Sequence, residues 1–171
     1  DELLSAIDEN TILVSLMAVN NEVGSLLPVN EIRSAVKRAK APALIHSDCV
    51  QALSKILVSP KTVDADIITV SGHKIHALKG VGGIYLKTPN LIKPYILGGG
   101  QEKGLHSGTE ATPAIYSFGA AAEEAMDIGK HTEYVQSLKN LFLDGIRDLG
   151  CVTINSPEDA IPYIVNISIL G

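Results

Sequence analysis

Apolar runs alternating with amphipathic or glycine-bounded segments restrict the fold more than any other feature of this chain. TILVSLMA (11–18), ALIHSD (43–48) and ADIITVS (65–71) each place apolar side chains at consecutive positions, as strands do when helices cover both faces of a sheet. Between the first two, VNEIRSAVKRAK (29–40) sets Val29, Ile32, Ala35, Val36 and Ala39 at helical spacing with charges opposite, and Asn30 or Asn20 suits its start. CVQALSK (49–55) reads as a short helix, and GGIYLK (82–87) reads as a fourth strand after a glycine-rich turn. The pattern predicts an α/β fold, a mainly parallel sheet flanked by helices, whose ligands collect at the carboxyl ends of the strands. Asn21, Asp48 and Lys74 each lie just past a predicted strand end.

The second half reads differently. An alanine-rich segment from Thr109 to Ile128 and a periodic one from His131 to Leu149 predict two long helices separated near Gly129. Cys151 to Ile154 and Tyr163 to Ile169 predict strands of a further sheet. The expected organisation is a partial large domain over 1–128 and the start of a small α+β domain over 129–171. DELLSAIDEN reads as the end of a helix, and the chain stops straight after IVNISIL. Both ends are expected to be cut from a longer protein.

Composition removes several classes of function. A formal charge of -5 and 4% aromatics lack the basic excess and the stacking rings that nucleic acid binding uses. No apolar stretch approaches the roughly 20 residues that span a bilayer, so a soluble, cytoplasmic protein is expected. The two cysteines, Cys49 and Cys151, make no disulfide framework.

The chemistry concentrates in SGHKIHALKGVGG (71–83), where Lys74 stands in a strand-to-loop turn beside Ser71 and His73. A lysine amine becomes a carbonyl-attacking nucleophile when burial or a neighbouring cation disfavours its charge, and a hydroxyl with an imidazole offers a phosphate seat. Asp48 ends an apolar strand and needs a partner if buried; a protonated pyridine nitrogen is one such partner. Gln51, close behind it, is placed to donate to a phenolic oxygen on the same ring. Lysine plus aspartate at strand ends is the pair that pyridoxal phosphate requires. The plainer alternatives are a solvated loop lysine and an aspartate that caps the helix predicted over 49–55. His46, Asp48 and Cys49, or His73 and His76, cluster without the ligand number and direction of a zinc site, and His46 reads as a core or supporting histidine. The loop GGGQEKGLHSGT (98–109) allows close backbone approach to an anion, with Ser107 and Thr109 leading into a helix. It matches neither nucleotide-binding fingerprint.

Taken together, MAVNNEVG, HSDCVQ, SGHKIHALKG and GGGQEKGLHSGT, in this order and spacing, resemble cysteine desulfurases of the NifS and IscS type, which are fold type I pyridoxal-phosphate enzymes. The resemblance implies a homodimer that takes sulfur from L-cysteine, releases L-alanine and passes a persulfide to sulfur-acceptor or scaffold proteins for iron-sulfur clusters and thiolation. It implies that Lys74 forms the internal aldimine, Asp48 pairs with the pyridinium nitrogen, and Gln51 and Asn21 lie near the phenolic oxygen. Ser71 and His73 would hold the phosphate, and Thr109 would reach the phosphate of the neighbouring subunit. The chain departs from the family at His106, where arginine is usual, at Ala77-Leu78 in place of Gly-Pro, and at Cys49 in place of alanine. The ring-stacking histidine is expected upstream of Asp1, and the persulfide cysteine and substrate-carboxylate arginine downstream of Gly171. Alone, the chain is expected to be inactive. Rival readings are a selenocysteine lyase or aminotransferase of the same fold, and a non-catalytic remnant that binds a partner.

Overall fold

The computed structural model describes residues 2–171. A short helix α1 (Glu2–Ser5) leads into β1 (Leu13–Met17), α2 (Val29–Ala39), β2 (Leu44–Asp48), α3 (Pro60–Val63), β3 (Ile67–Ser71) and β4 (Gly82–Leu86). These strands form one sheet in the order β1-β2-β3-β4, parallel except for β4, which runs antiparallel to β3. The sheet is therefore mixed and mostly parallel, with helices flanking it. Then come α4 (Thr112–Glu124), α5 (Ile128–Ile146) and a small antiparallel pair, β5 (Val152–Ile154) with β6 (Ile167–Ile169).

One face of the sheet carries the core. Leu16, Ile45 and Ile68 meet Ile32 and Val36 of α2 in a single buried cluster, and burial of each such side chain is worth roughly 1.5–3 kcal/mol. Helix α2 forms because its apolar stripe repeats at 3–4 residues and because Glu31 in the first turn and Lys37 and Arg38 in the last complement its dipole. Neither Asn30 nor Asn20 caps it. Pro28 stands at the cap position, while the Asn20 side chain accepts from the N–H groups of Glu22 and Val23 at 2.9 Å and shapes its own turn. At the far end Lys40 takes a left-handed φ of 55° and returns its N–H to the last turn. Arg33 reaches off this helix to Asp66 with two bonds, at 2.8 and 3.1 Å, and Asp66 also accepts the Ile45 N–H at 2.9 Å. This clip joins α2, β2 and the entry to β3.

Five expectations require correction. The first strand is not buried on both faces: Leu13 is 53% exposed, because α2 covers only the face that bears Leu16. The segment 49–55 is a pair of turns and not a helix. Bonds from Ala52 and Leu53 to Cys49, and from Lys55 and Ile56 to Ala52, close two turns, but Ser54 adopts a left-handed φ of 66° that an α-helix cannot continue through. The strand expected over Tyr163 to Ile169 forms only at Ile167–Ile169; before it, the chain packs against the turn at Gly24. Helix α4 starts three residues later than Thr109, with Pro113 in its first turn. Asp127 caps α5 by accepting the Lys130 N–H at 3.3 Å, which places Gly129 inside the helix.

Candidate functional site

The end of β2 is fastened on both sides. The Asp48 carbonyl accepts the Ala18 N–H at 2.8 Å and the Cys49 N–H reaches the Thr69 carbonyl at 2.8 Å, so the exits of β1, β2 and β3 are neighbours. The half-buried Asp48 carboxylate accepts the Val50 N–H at 2.8 Å through Oδ1, which fixes its rotamer. Its second oxygen has no hydrogen-bond partner among the described residues. On the same sheet face, one pleat back, His46 is held from both sides: Nδ1 lies 2.7 Å from Ser15 Oγ and Nε2 lies 3.0 Å from Thr69 Oγ1. His46 supports the floor beneath Asp48, as a supporting histidine would.

Lys74 sits in the 3-10 turn Gly72–Ile75 directly after β3. Space at Gly72 is tight: a Cβ would stand 3.0 Å from both Ala77 Cβ and Val81 Cγ1, which would have to shift to admit it. The Gly72 N–H bonds the Val81 carbonyl at 3.0 Å, and the left-handed His76 returns its N–H to the Gly72 carbonyl. Buried Ile75 pins the turn from below, and the Lys74 side chain is exposed above it. Its amine has neither a hydrogen bond nor an ion pair among the described residues. Ser71 Oγ and His73 Nδ1 are joined at 2.7 Å, so hydroxyl and imidazole act as one unit beside the lysine.

Asn21 is exposed in the turn that follows β1, and that turn is held from the far end of the chain. The Ile161 N–H bonds the Gly24 carbonyl at 3.0 Å and Asn166 Nδ2 donates to the Glu22 carbonyl at 3.3 Å. Gly24, with φ of 76°, lies so close to Ile164 that an added Cβ would be 3.0 Å from its Cβ. Gln51 is half-buried in the turns after Asp48. Thr109 is separate: it is exposed ahead of α4, and no hydrogen bond links it to the others among the described residues. Its loop is shaped internally, with Ser107 Oγ donating to the Gly99 carbonyl at 2.8 Å and the Gly108 N–H to Gln101 Oε1 at 3.3 Å. The structure thus gathers Asp48, Ser71, His73 and Lys74 at one end of the sheet, with Asn21 and Gln51 on the adjoining turns.

One residue escaped the sequence reading. Lys55, also on the turns after Asp48, has an Nζ sealed from solvent and without a hydrogen-bond partner, and its ammonium lies 5.8 Å from the centroid of the Tyr163 ring. Burial, and then the charge of Lys74, hold its amine below the ordinary lysine value. The available signal was its position between Leu53 and the apolar run Ile56–Val58. Cys49 is fully buried with Sγ 3.5 Å from Ser47 Oγ, and burial pushes its thiol up, so it is a protonated, apolar filler beside Asp48. A cleft of about 400 Å³ between the Lys74 turn, α4 and α5 is lined by Ile75, His76, His131, Tyr134 and Tyr163 and by none of the candidate residues. Among the described residues no group of three or more His, Cys, Asp or Glu is arranged to hold a metal ion.

The family model for class-V aminotransferases matches residues 1–171. A cysteine desulfurase from Trichormus azollae is 38% identical over 172 residues, covering 98% of this chain and 42% of the relative. A mitochondrial cysteine desulfurase from Arabidopsis thaliana is 40% identical over 171 residues, covering 98% and 37% respectively. Among solved structures, a NifS-like protein superposes with a TM-score of 0.92 at 38% identity, covering 98% of this chain and 46% of that one. The chain spans about two fifths of the length of the curated relatives it matches.

Proposed function

The chain belongs to the class-V aminotransferase family, and we propose that it carries the cofactor-binding half of a cysteine desulfurase active site. The observation that carries this reading is the unpartnered Lys74 amine on the turn beyond β3, beside a β2 that ends in a carboxylate with one oxygen uncommitted. The residues present fit pyridoxal phosphate: Asp48 offers an acceptor for a protonated ring nitrogen, Lys74 an amine for the aldehyde, and the Ser71–His73 pair donors for the phosphate. Bound there, the cofactor would supply an electron sink that stabilises negative charge on the substrate carbon.

The chain's own residues divide the work by position. Asp48 holds a cationic partner at the strand exit, and its rotamer is fixed before anything binds. Lys74, on a turn whose backbone is locked by Gly72 and Ile75, moves a proton to and from the substrate carbon as general base and then general acid. Ser71 and His73 grip an anion at one edge, and Asn21 and Gln51 orient a phenolic oxygen at the other. Thr109, on a loop apart from these groups, serves the phosphate of a second copy. The substrate is L-cysteine, the products are L-alanine and a persulfide on a cysteine elsewhere in the protein, and the onward receivers are sulfur-acceptor or scaffold proteins. We read residues 1–128 as part of the cofactor-binding domain and 129–171 as the beginning of a smaller one. Exposed Tyr95, Leu97 and Tyr116, at 96%, 79% and 81%, support a homodimer. No helix among the described residues is long and apolar enough to cross a membrane. We assign the protein to the cytoplasm, with an organelle as the alternative that the mitochondrial relative raises.

The test is an absorbance spectrum of the chain with added pyridoxal phosphate beside that of Lys74→Ala. A lysine-dependent visible band, absent from the variant, is expected. Equal spectra from the two, in this chain and in a longer product of the same gene, would remove the basis of the proposal.

A further inference from the structure

The turn that carries Asn21 is fixed from two directions, and the second comes from a distant part of the chain. From within, Asn20 builds it: its side chain accepts the Glu22 and Val23 N–H groups at 2.9 Å, and its carbonyl accepts the Gly24 N–H at 3.1 Å. None of these bonds uses the Glu22 or Gly24 carbonyl, and both carbonyls are taken up by the segment before β6. The Ile161 N–H donates to Gly24 at 3.0 Å and Asn166 Nδ2 donates to Glu22 at 3.3 Å. The second of these bonds spans 144 residues of sequence, so the contacts themselves, and not chain connectivity, keep the two segments together. Gly24, with φ of 76°, completes the seat by packing against Ile164 and Ala160. Asn166 is the hub of the segment. Its N–H donates to Ser156 Oγ at 2.8 Å, its carbonyl accepts the Asn155 N–H at 2.8 Å, and its Oδ1 accepts Asn155 Nδ2 at 2.7 Å. The Glu22 carbonyl can only accept, so Nδ2 must face it and the Asn166 amide has one orientation. Every polar group of Asn166 is engaged, and the bonds to Asn155 and Ser156 form the fixed base from which Nδ2 reaches the turn. Lys139 of α5 braces the same segment through the Ala160 carbonyl at 3.1 Å. Glu22 lends only its carbonyl, its side chain being exposed like those of Glu158 and Asp159, so the bonds to the turn come from amides alone.

We propose that Asn166 is a positioning residue for Asn21: its side-chain amide holds the turn where the Asn21 side chain meets the phenolic oxygen of the cofactor ring. This rests on the reading of Asn21 as a group that orients that oxygen. Asn21 is exposed and its side chain makes no hydrogen bond among the described residues, so its place is set by the backbone it rides on. The end of β1 fixes that backbone on one side, and Asn166 with Ile161 fixes it on the other. An amide that donates to an ionised oxygen stabilises the ionised form, and such a bond weakens steeply as its angle closes. A turn that drifts therefore loses the effect on the oxygen before it loses its fold. Asn166 itself touches neither cofactor nor substrate in this arrangement; it acts through Asn21.

The experiment uses the longer product of the same gene, loaded with pyridoxal phosphate, and follows its Lys74-dependent visible band as pH is varied. Loss of a donor to the ionised oxygen raises the midpoint of that titration. Asn21→Ala is expected to raise it by about half a pH unit or more. Asn166→Leu, uncharged and of similar size, is expected to raise it by a smaller amount in the same direction, and to add nothing when Asn21→Ala is already present. Asn166→Asp, which keeps the acceptor for Asn155 and loses only the donor, should behave as Asn166→Leu does. Ser168→Ala removes the 2.9 Å bond from Asn155 Nδ2, a part of the same network that does not reach the turn, and should leave the midpoint in place. In the protein without cofactor, amide exchange at Gly24 should quicken in Asn166→Leu and Asn166→Asp. The proposal is overturned by a midpoint that Asn21→Ala moves and neither Asn166 variant does, by an equal shift in Ser168→Ala, by an Asn166 effect that persists beside Asn21→Ala, or by unchanged exchange at Gly24. A midpoint that Asn21→Ala leaves in place would instead remove the reading of Asn21, and the proposal would fall with it.

Discussion

Helices α2 and α4 are close in length, 11 and 13 residues, yet α2 buries Ile32, Ala35 and Val36 while α4 buries none of its side chains. The contrast starts in the sequence. In α2, charges at Glu31, Arg33, Lys37 and Arg38 confine the apolar residues to one stripe, and that stripe meets a sheet face. In α4, TPAIYSFGAAAEE has no charge before its last two residues, so no face is marked for water. Phe118 lies near Gly72 and Gly83, and Ser117 reaches the loop at Leu78; Tyr116 stays 81% exposed. The site divides along the same line. Asp48 stands at the end of a strand that α2 covers and clips, whereas Thr109 precedes a helix that the chain does little to cover. A site half built on the first kind of element is positioned by its own chain. The other half stands beside a helix whose apolar side chains this chain leaves exposed.

The largest effect that separates the two regions is expected from Asp66→Ala, which leaves Arg33 partly buried without its bidentate partner. Urea unfolding should show a loss of about 1–3 kcal/mol, because the buried Ile45 N–H loses its acceptor while Arg33 keeps Asp64. On α4, Tyr116→Ala measured on this chain as a monomer should stay within about 0.5 kcal/mol. A large loss there would break the comparison, because it would mean that α4 is packed by its own chain.

Acidification sharpens the same contrast. Burial alone would raise the Asp66 carboxyl, but the hydrogen bonds from Arg33 and the Ile45 N–H, with the charges of Arg33 and Lys87, outweigh it and hold it below the ordinary aspartate value. A carboxyl depressed in the folded state contributes stability that is complete above its unfolded value and is lost as pH falls through the folded one. Unfolding free energy measured from neutral to acid pH should therefore decline in the parent by more than in Asp66→Asn. Parallel curves would show that the clip is electrostatically idle.

Much of this was legible in the chain, and the limits are physical. The strands, α2 and the residues at the strand exits follow from local pattern, because an apolar run that stops at Asn20 or Asp48 also marks where a sheet must end. The turns over 49–55 read as a helix because composition gives no sign that Ser54 takes a φ of 66°. The Arg33–Asp66 clip joins residues in separate elements, and no periodicity signals such a pair. Lys55 was passed over because most lysines are surface groups and only the tertiary seat under Tyr163 makes this one unusual. Thr109 rests on the family motif alone, and it lies exposed on its own loop apart from the other candidate residues.

The finest test concerns a polar thread from α4 to the Lys74 loop. The Leu78 N–H donates to Ser117 Oγ at 3.0 Å, where Leu78 stands in place of the proline usual in the family. A proline would have no N–H to give, so this bond exists only because of the departure. In Ser117→Ala the global loss should be about 0.5–1.5 kcal/mol or less, since Leu78 is exposed and water can substitute. The local loss should be larger in kind: amide exchange at Leu78 should accelerate while exchange at Ala77, whose N–H is bonded to the Gly72 carbonyl at 3.1 Å, stays as before. Joint acceleration at both would mean that α4 supports the whole Lys74 turn, and the division between the two halves would then have to be drawn beyond α4. Exchange unchanged at Leu78 would show that the thread does not form, which would leave Phe118 as the contact that joins α4 to the site.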